Sequence, residues 1–269
     1  MTQESSTEPE NGPALESSGA ASSINRLVYW ISRHWLAIFN ILVAIYVGLP
    51  FLAPVLMNIG ATAPARVIYT IYSPLCHQMA SRSFFLYGDQ VAYPRAISGS
   101  SLTPIEAYMP SLPEFEGASQ DPENWPEFLL AARRFVGNEQ MGYKMALCER
   151  DMAIYTAVLL TGLLYGLLRR RINIKPLPFW AFLIIGLGPI ALDGFSQLFS
   201  QYLVVLTPYI APSVERLLPL RESTPFLRTL TGAIFGISLV WMTYPHIDVS
   251  MQKTEAEQRQ KSTASEIPS

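Results

Sequence analysis

The run from Leu36 to Met57 is almost wholly apolar and long enough to cross a bilayer, whose hydrocarbon core takes about 20 residues of helix. Further apolar runs follow at Ala61–Leu75, Met152–Leu168, Leu177–Phe199 and Phe226–Tyr244. Inside a bilayer the backbone must satisfy its own hydrogen bonds, so such runs are helices. Read as spans, they give an all-α polytopic bundle of about five transmembrane helices, a multi-pass protein of the cell membrane. Composition agrees: half of the residues are hydrophobic, and only 15% are charged, against roughly 25% in soluble domains. A net charge of −2 gives no basis for a nucleic-acid partner.

Aromatic residues mark the interfaces. Trp30 and Trp35 precede the first span, Phe179 and Trp180 the fourth, and Trp241 and Tyr244 close the fifth. Pro50 and Pro54 predict a kink in span one, and Pro189 interrupts span four. Gly162 and Gly166 form a small-xxx-small pair that admits a close neighbour, and Gly232 and Gly236 follow in span five. Gln201–Pro212 is apolar but too short for a span, and reads as an interfacial or re-entrant piece.

The chain then divides as follows. Residues 1–33 and 246–269 read as disordered polar tails, and Met1–Ser23 lacks the apolar core of a signal peptide. Residues 34–81 carry spans one and two, and 148–245 carry spans three to five. Residues 82–147 are rich in Pro, Gly, Ser and acidic side chains, have no span-length run, and form an extramembrane insert. Within it, Asn124 is placed to cap a helix with Pro126 in the first turn. Trp125, Phe128, Leu129, Ala132 and Phe135 then share a helical face. That face lies on the membrane, lids a polar site, or packs within the insert.

Alternating crossings bring the polar residues at the span ends to one side. Cys76-His77-Gln78 ends span two, and Cys148-Glu149-Arg150-Asp151 opens span three. Asp193 and Gln197 lie near the end of span four, and Arg228 opens span five. The short loop Arg169-Arg170-Arg171 with Lys175 is on the opposite face, which the positive-inside rule makes cytoplasmic. The cluster then faces outward, although Arg26, Arg33, Arg216 and Arg221 count the other way.

Asp193 is the sharpest single signal. A carboxylate within a span costs about 2.5–3.5 kcal/mol on insertion scales, so it needs a partner. Gln197 is one turn on, and Arg228 is a candidate to pair with Asp193 and lock two helices. Asp193, Arg228, Gln197 and Arg150 read as acid–base groups and anion-orienting groups, with Arg150 able to hold a carboxylate or a lipid phosphate. Cys148 and Asp151 share a helix face that Tyr155 extends. Cys76 and His77 diverge in a helix and converge only if it ends at Ser73-Pro74.

Together Cys76, His77, Cys148 and Asp151 suit tetrahedral zinc or another transition metal. Three alternatives stay open for the cysteines: a disulfide, a reversible redox pair, or two inert small residues. Arg82 reads as a surface residue or an anion contact, and His34 and His246 as interfacial.

Cys76-His77-Gln78, Arg82-Ser83-Phe84-Phe85, Cys148-Glu149-Arg150, Ile154-Tyr155, Asp193-Gly194 with Gln197, and Arg228 with Thr231-Gly232 resemble the ordered motifs of an uncharacterised prokaryotic multi-pass membrane protein family, a domain of unknown function. The resemblance covers roughly Ile68 to Thr243. In many members the third motif is Cys-x-Arg-Cys-Thr-Gly; here Asp151 stands for the second cysteine and Met152-Ala153 for Thr-Gly. Asp in a cysteine's place is compatible with a metal ligand and awkward for a disulfide there. The insert Tyr87–Met141 is longer than the usual linker of the family.

Three functions compete on the sequence. The first is a metal-dependent or thiol-redox site acting on a lipid or small anionic ligand at one membrane face. The second is a small transporter or channel gated by Asp193 and Arg228. The third is a non-catalytic subunit or assembly factor docking a larger complex through its glycine-lined helices. A metal or redox role leads, because it uses the cysteines.

Overall fold

The computed structural model describes residues 14–117, 125–210 and 220–265. Its helices are α1 (Ala14–Asn58), α2 (Thr62–Tyr72), α3 (Trp125–Arg134), α4 (Glu149–Leu168), α5 (Phe179–Ala181), α6 (Gly188–Ile210) and α7 (Pro225–Ser265). A π-helical stretch, Phe182–Leu187, joins α5 to α6. It falls just before Pro189, which lacks the N–H that would close the regular ladder.

The protein is a helical, polytopic membrane protein. Among the described residues four helices are long and apolar enough to cross a bilayer: Ser23–Asn58, Glu149–Leu168, Phe179–Leu203 and Pro225–Lys261. The segment expected as span two is α2, with 11 residues. At 1.5 Å per residue it is about 16 Å long, roughly half of the hydrocarbon thickness. Gly60, at φ +80°, turns the chain just before it. Pro74, two residues past Tyr72, has no N–H with which to continue it.

Both supposed tails carry helix instead, because α1 begins at Ala14 and α7 runs to Ser265. The extension of α7 is rich in good helix formers, with Lys253–Glu257, Glu255–Arg259 and Glu257–Lys261 at i, i+4. Gln201–Ile210, expected as a separate interfacial piece, continues α6 without a break. Residues up to Phe39 and from Pro245 onward form one compact unit, and Asn40–Tyr244 a second. In the first unit, Trp35 Nε1 and Gln252 Nε2 donate to the buried Asp248 carboxylate at 3.3 and 3.2 Å.

Within the second unit, carbonyls freed by helix prolines serve as docking points. A proline frees the carbonyl four residues before it. Pro50 frees Tyr46 O, which accepts from the Tyr72 hydroxyl at 2.7 Å and so ties α2 to α1. Pro54 frees Pro50 O, which accepts from Ala146 N–H at 3.5 Å, on the approach to α4. Pro245 frees Trp241 O, which accepts from Leu177 N–H at 3.2 Å. Pro50 and Pro54 thus sit inside an unbroken α1 and anchor the segments that carry the cysteines.

Small residues set the contact between α4 and α7. A Cβ built on Gly232 would lie 2.7 Å from Arg150 O, and one on Gly236 2.4 Å from Ile154 O. Gly162 instead faces Asn40 and Tyr244. Gly236→Ala is therefore expected to cost about 1–3 kcal/mol, the usual range for overpacking. Thermal unfolding in detergent micelles measures it, and an unchanged midpoint would contradict this packing.

The insert folds on its own core. Strands β1 (Phe85–Leu86), β2 (Gly137–Asn138) and β3 (Gly142–Lys144) form an antiparallel sheet in the order β1-β3-β2, with Phe85 opposite Lys144 and Asn138 opposite Gly142. Gly142 has φ +73°, and a Cβ there would meet Leu86 O at 2.2 Å, so no larger residue fits. Phe128, Ala132 and Phe135 of the α3 region are buried against Phe85, Tyr93 and Phe115, so that face packs within the insert. The expected cap, Asn124, lies outside the described residues.

Candidate functional site

Cys148 is the N-cap of α4, with extended backbone, and Asp151 stands in the first turn. Leu147 and Met152 are buried against α1 and α2 in one apolar cluster, which fixes where α4 starts. Cys76 belongs to the same cluster, directly after α2, with its N–H on Tyr72 O at 3.1 Å. Two residues later Gln78 adopts a left-handed backbone, φ +51°, uncommon outside glycine. Its carbonyl accepts from Lys144 Nζ at 2.6 Å and its side chain donates to Tyr69 O at 2.8 Å, so both ends of this turn are held. The same Lys144 ammonium donates to Ala132 O and Arg133 O. One fully buried side chain thus ties β3, α3 and the turn after Cys76 together.

The outcome is a compact donor set. One ligand atom each from Cys76, Cys148 and Asp151 lies within 4.8 Å of the others. Both thiols are free, and Cys148 N–H points at Cys76 Sγ at 3.3 Å. The Cys148 thiol donates to Cys76, which draws Cys76 below the usual thiol range. The same bond, together with burial, raises Cys148 well above it. The three residues share the wall of a cavity of about 280 Å³ with His77, Arg82 and Gln201. His77 is exposed and stands outside the compact set. Adjacent side chains diverge, and the core takes Cys76.

A second group of residues is bound together by charge. Asp193, buried in α6, accepts from Arg150, from Arg221 Nη2 at 3.0 Å and from Ser223 Oγ at 2.9 Å. Glu222 accepts a two-pronged pair from Arg82, Nε at 2.7 Å and Nη2 at 2.9 Å. Glu222 also accepts from Arg228 and from Gln197 Nε2 at 3.0 Å. Arg228 reaches Glu149 Oε2 at 3.1 Å with its other amine. In low dielectric such pairs are strong, and each member depends on the rest.

The expected pairing of Asp193 with Arg228 is therefore replaced: Asp193 is held by Arg150 and Arg221, and Arg228 holds Glu149 and Glu222. Arg82, read as a surface residue, is built into the network. Gln197 donates to the Glu222 carboxylate and Arg150 to that of Asp193. Glu149, Arg221, Glu222, Ser223 and Lys144 were not singled out as site residues. The signal available for three of them was Arg221-Glu222-Ser223, a polar triplet just before the Pro225 that opens a span. Lys144 gave none, because a single lysine in a polar insert reads as surface.

The fold and the site define a polytopic helical membrane protein with a cavity lined by Cys76, Cys148 and Asp151 and an arginine–carboxylate network that shares Arg82 with it. Residues 139–242 match the family model described as predicted membrane protein (DUF2085). The match includes the motifs from Cys148 to Gly232, and Cys76-His77-Gln78 lies before it. The chain is also 25% identical over 220 residues to the uncharacterized protein MJ1492 of Methanocaldococcus jannaschii, covering 80% of this chain and 93% of that one. No solved structure matches.

Proposed function

We propose that Cys76, Cys148 and Asp151 hold a divalent metal of the zinc class at the outward face of the cell membrane. The carrying observation is that their ligand atoms lie within 4.8 Å of one another on the wall of a cavity. Two thiolates and a carboxylate suit a borderline metal, and three protein ligands leave a position for an outside ligand. A metal so held supplies a Lewis acid and an activated water. The chain's own part is to fix the donors: Lys144 holds the turn after Cys76, and the docked start of α4 holds Cys148 and Asp151. Arg150 and Arg228 keep the neighbouring carboxylates paired.

Orientation follows from the crossing count. With four crossings, the chain enters its first span from the side that carries Arg169, Arg170, Arg171 and Lys175. Arg26 and Arg33 then join the basic side rather than opposing it. The positive-inside rule makes that side cytoplasmic and turns the cavity outward.

Metal analysis of protein purified without added chelator tests the proposal. About one equivalent of zinc-class metal is expected, lost in Cys148→Ala and in Asp151→Ala, since structural and catalytic sites rarely survive loss of one ligand in three. Metal-free wild-type protein, or metal retained in both variants, would reject it. The hydrogen bond between the two cysteines favours a second reading, a dithiol–disulfide pair. Intact mass after alkylation of native membranes separates the two: a Cys76–Cys148 bond leaves neither thiol to modify.

A further inference from the structure

The geometry points to a cavity that opens sideways into the outer leaflet and receives the head group of a membrane lipid. What happens to that head group rests on the metal reading, and the choice of leaflet on the orientation proposed above; the sideways access route stands on the fold. After α1 ends at Asn58, α2 turns back along it until Tyr72 meets Tyr46, about 18 Å of helix before that end. A helix too short to cross therefore lies alongside a helix that does cross. Its inner face, Ala65, Ile68, Tyr69 and Tyr72, is buried. Val67 and Ile71 on its outer face, one turn apart, and Leu75 in the turn that follows are each more than half exposed, as are Leu163 and Leu164 on the span α4. Apolar surface left in water costs about 25 cal/mol per Å², so this stripe belongs in acyl chains as theirs does.

Leu75 joins the two environments. It is exposed in the turn just past the stripe and is also part of the cavity wall, where Met79 and Leu129 add apolar surface. Beyond them the wall turns polar, with Arg82 and Asp151 beside the thiols. An amphiphile with its chain along α2 would place its polar end at Cys76, Cys148 and Asp151. The volume, about 280 Å³, is below that of drug-sized sites and suits a head group rather than a whole lipid.

The test uses the full chain in phosphatidylcholine vesicles that contain phosphatidylethanolamine bearing a maleimide on its head group. A parallel set receives a water-soluble maleimide, both after chelator treatment. The expected result is a lipid adduct on Cys148 or Cys76, located by peptide mass spectrometry. Ile71→Arg, away from the cavity wall, should slow the lipid-borne reaction about tenfold, equivalent to 1.4 kcal/mol, and leave the soluble reagent's rate unchanged. If it slows both reagents alike, Val67→Arg, one turn further from the cavity, repeats the comparison. Cysteines that react with the soluble reagent alone, or with neither, overturn the inference, as does a lipid rate that both arginine variants leave unchanged. Metal analysis can fail while the lipid adduct forms, so the two proposals fall separately.

Discussion

Replacing Arg228 by methionine is expected to lower the stability of the protein by about 3–5 kcal/mol, the usual cost of removing one partner from a buried ion pair. The arginine is 3% exposed and is the hydrogen-bonding cation of Glu149, which is fully buried. It also shares Glu222 with Arg82. Removing it strands charge where water cannot reach. Arg228→Lys should recover only part of the loss, because one ammonium does not reproduce a planar fork gripping two carboxylates. Adding Glu149→Gln to Arg228→Met should recover more, since the stranded charge is gone. Reversible unfolding in mixed micelles measures all three, and a loss within the roughly 0.5 kcal/mol typical of surface substitutions would show the network to be ornamental.

Lys144→Met should cost nearly as much, for a different reason. Gln78 O, Ala132 O and Arg133 O would each lose a donor inside the fold, at roughly 1–3 kcal/mol per buried group left unpaired. The effect also carries a pH signature. Burial pushes the Lys144 ammonium down from 10.5 to about 7. Between those values the unfolded chain binds the extra proton, so stability rises with pH in the wild type and not in the variant. The gap between the two should therefore widen from neutral pH toward pH 10, as read by chemical denaturation across that range. A gap that stays constant, or narrows, would mean that folding does not lower the pKa of Lys144.

Much of the membrane architecture was legible, because span-length apolar runs admit few alternatives. Leu36–Met57, Met152–Leu168 and Phe226–Tyr244 each fall within a helix able to cross, and Leu177–Phe199 lies in a fourth from Phe179 onward. Ala61–Leu75 misled because hydropathy alone does not register that Gly60 and Pro74 leave only 11 helical residues between them. The expectation that the polar span ends share one membrane face does not depend on that segment. Removing one crossing moves the entry of the first span and leaves the later segments on a common side. The pairings were less legible. Asp193 announced a need for a cation, but which arginine met it depended on the Arg221–Ser223 segment, whose place no periodicity encodes. His77 looked like a ligand by its neighbour, and the core claimed the neighbour alone.

The arginine–carboxylate network has a consequence for how the chain is made. Glu149 leaves the ribosome with α4, whereas its hydrogen-bonding cation arrives only with α7. A nascent chain that stops short of Arg228 therefore leaves this acid without that cation, and the bundle around it cannot close at full strength.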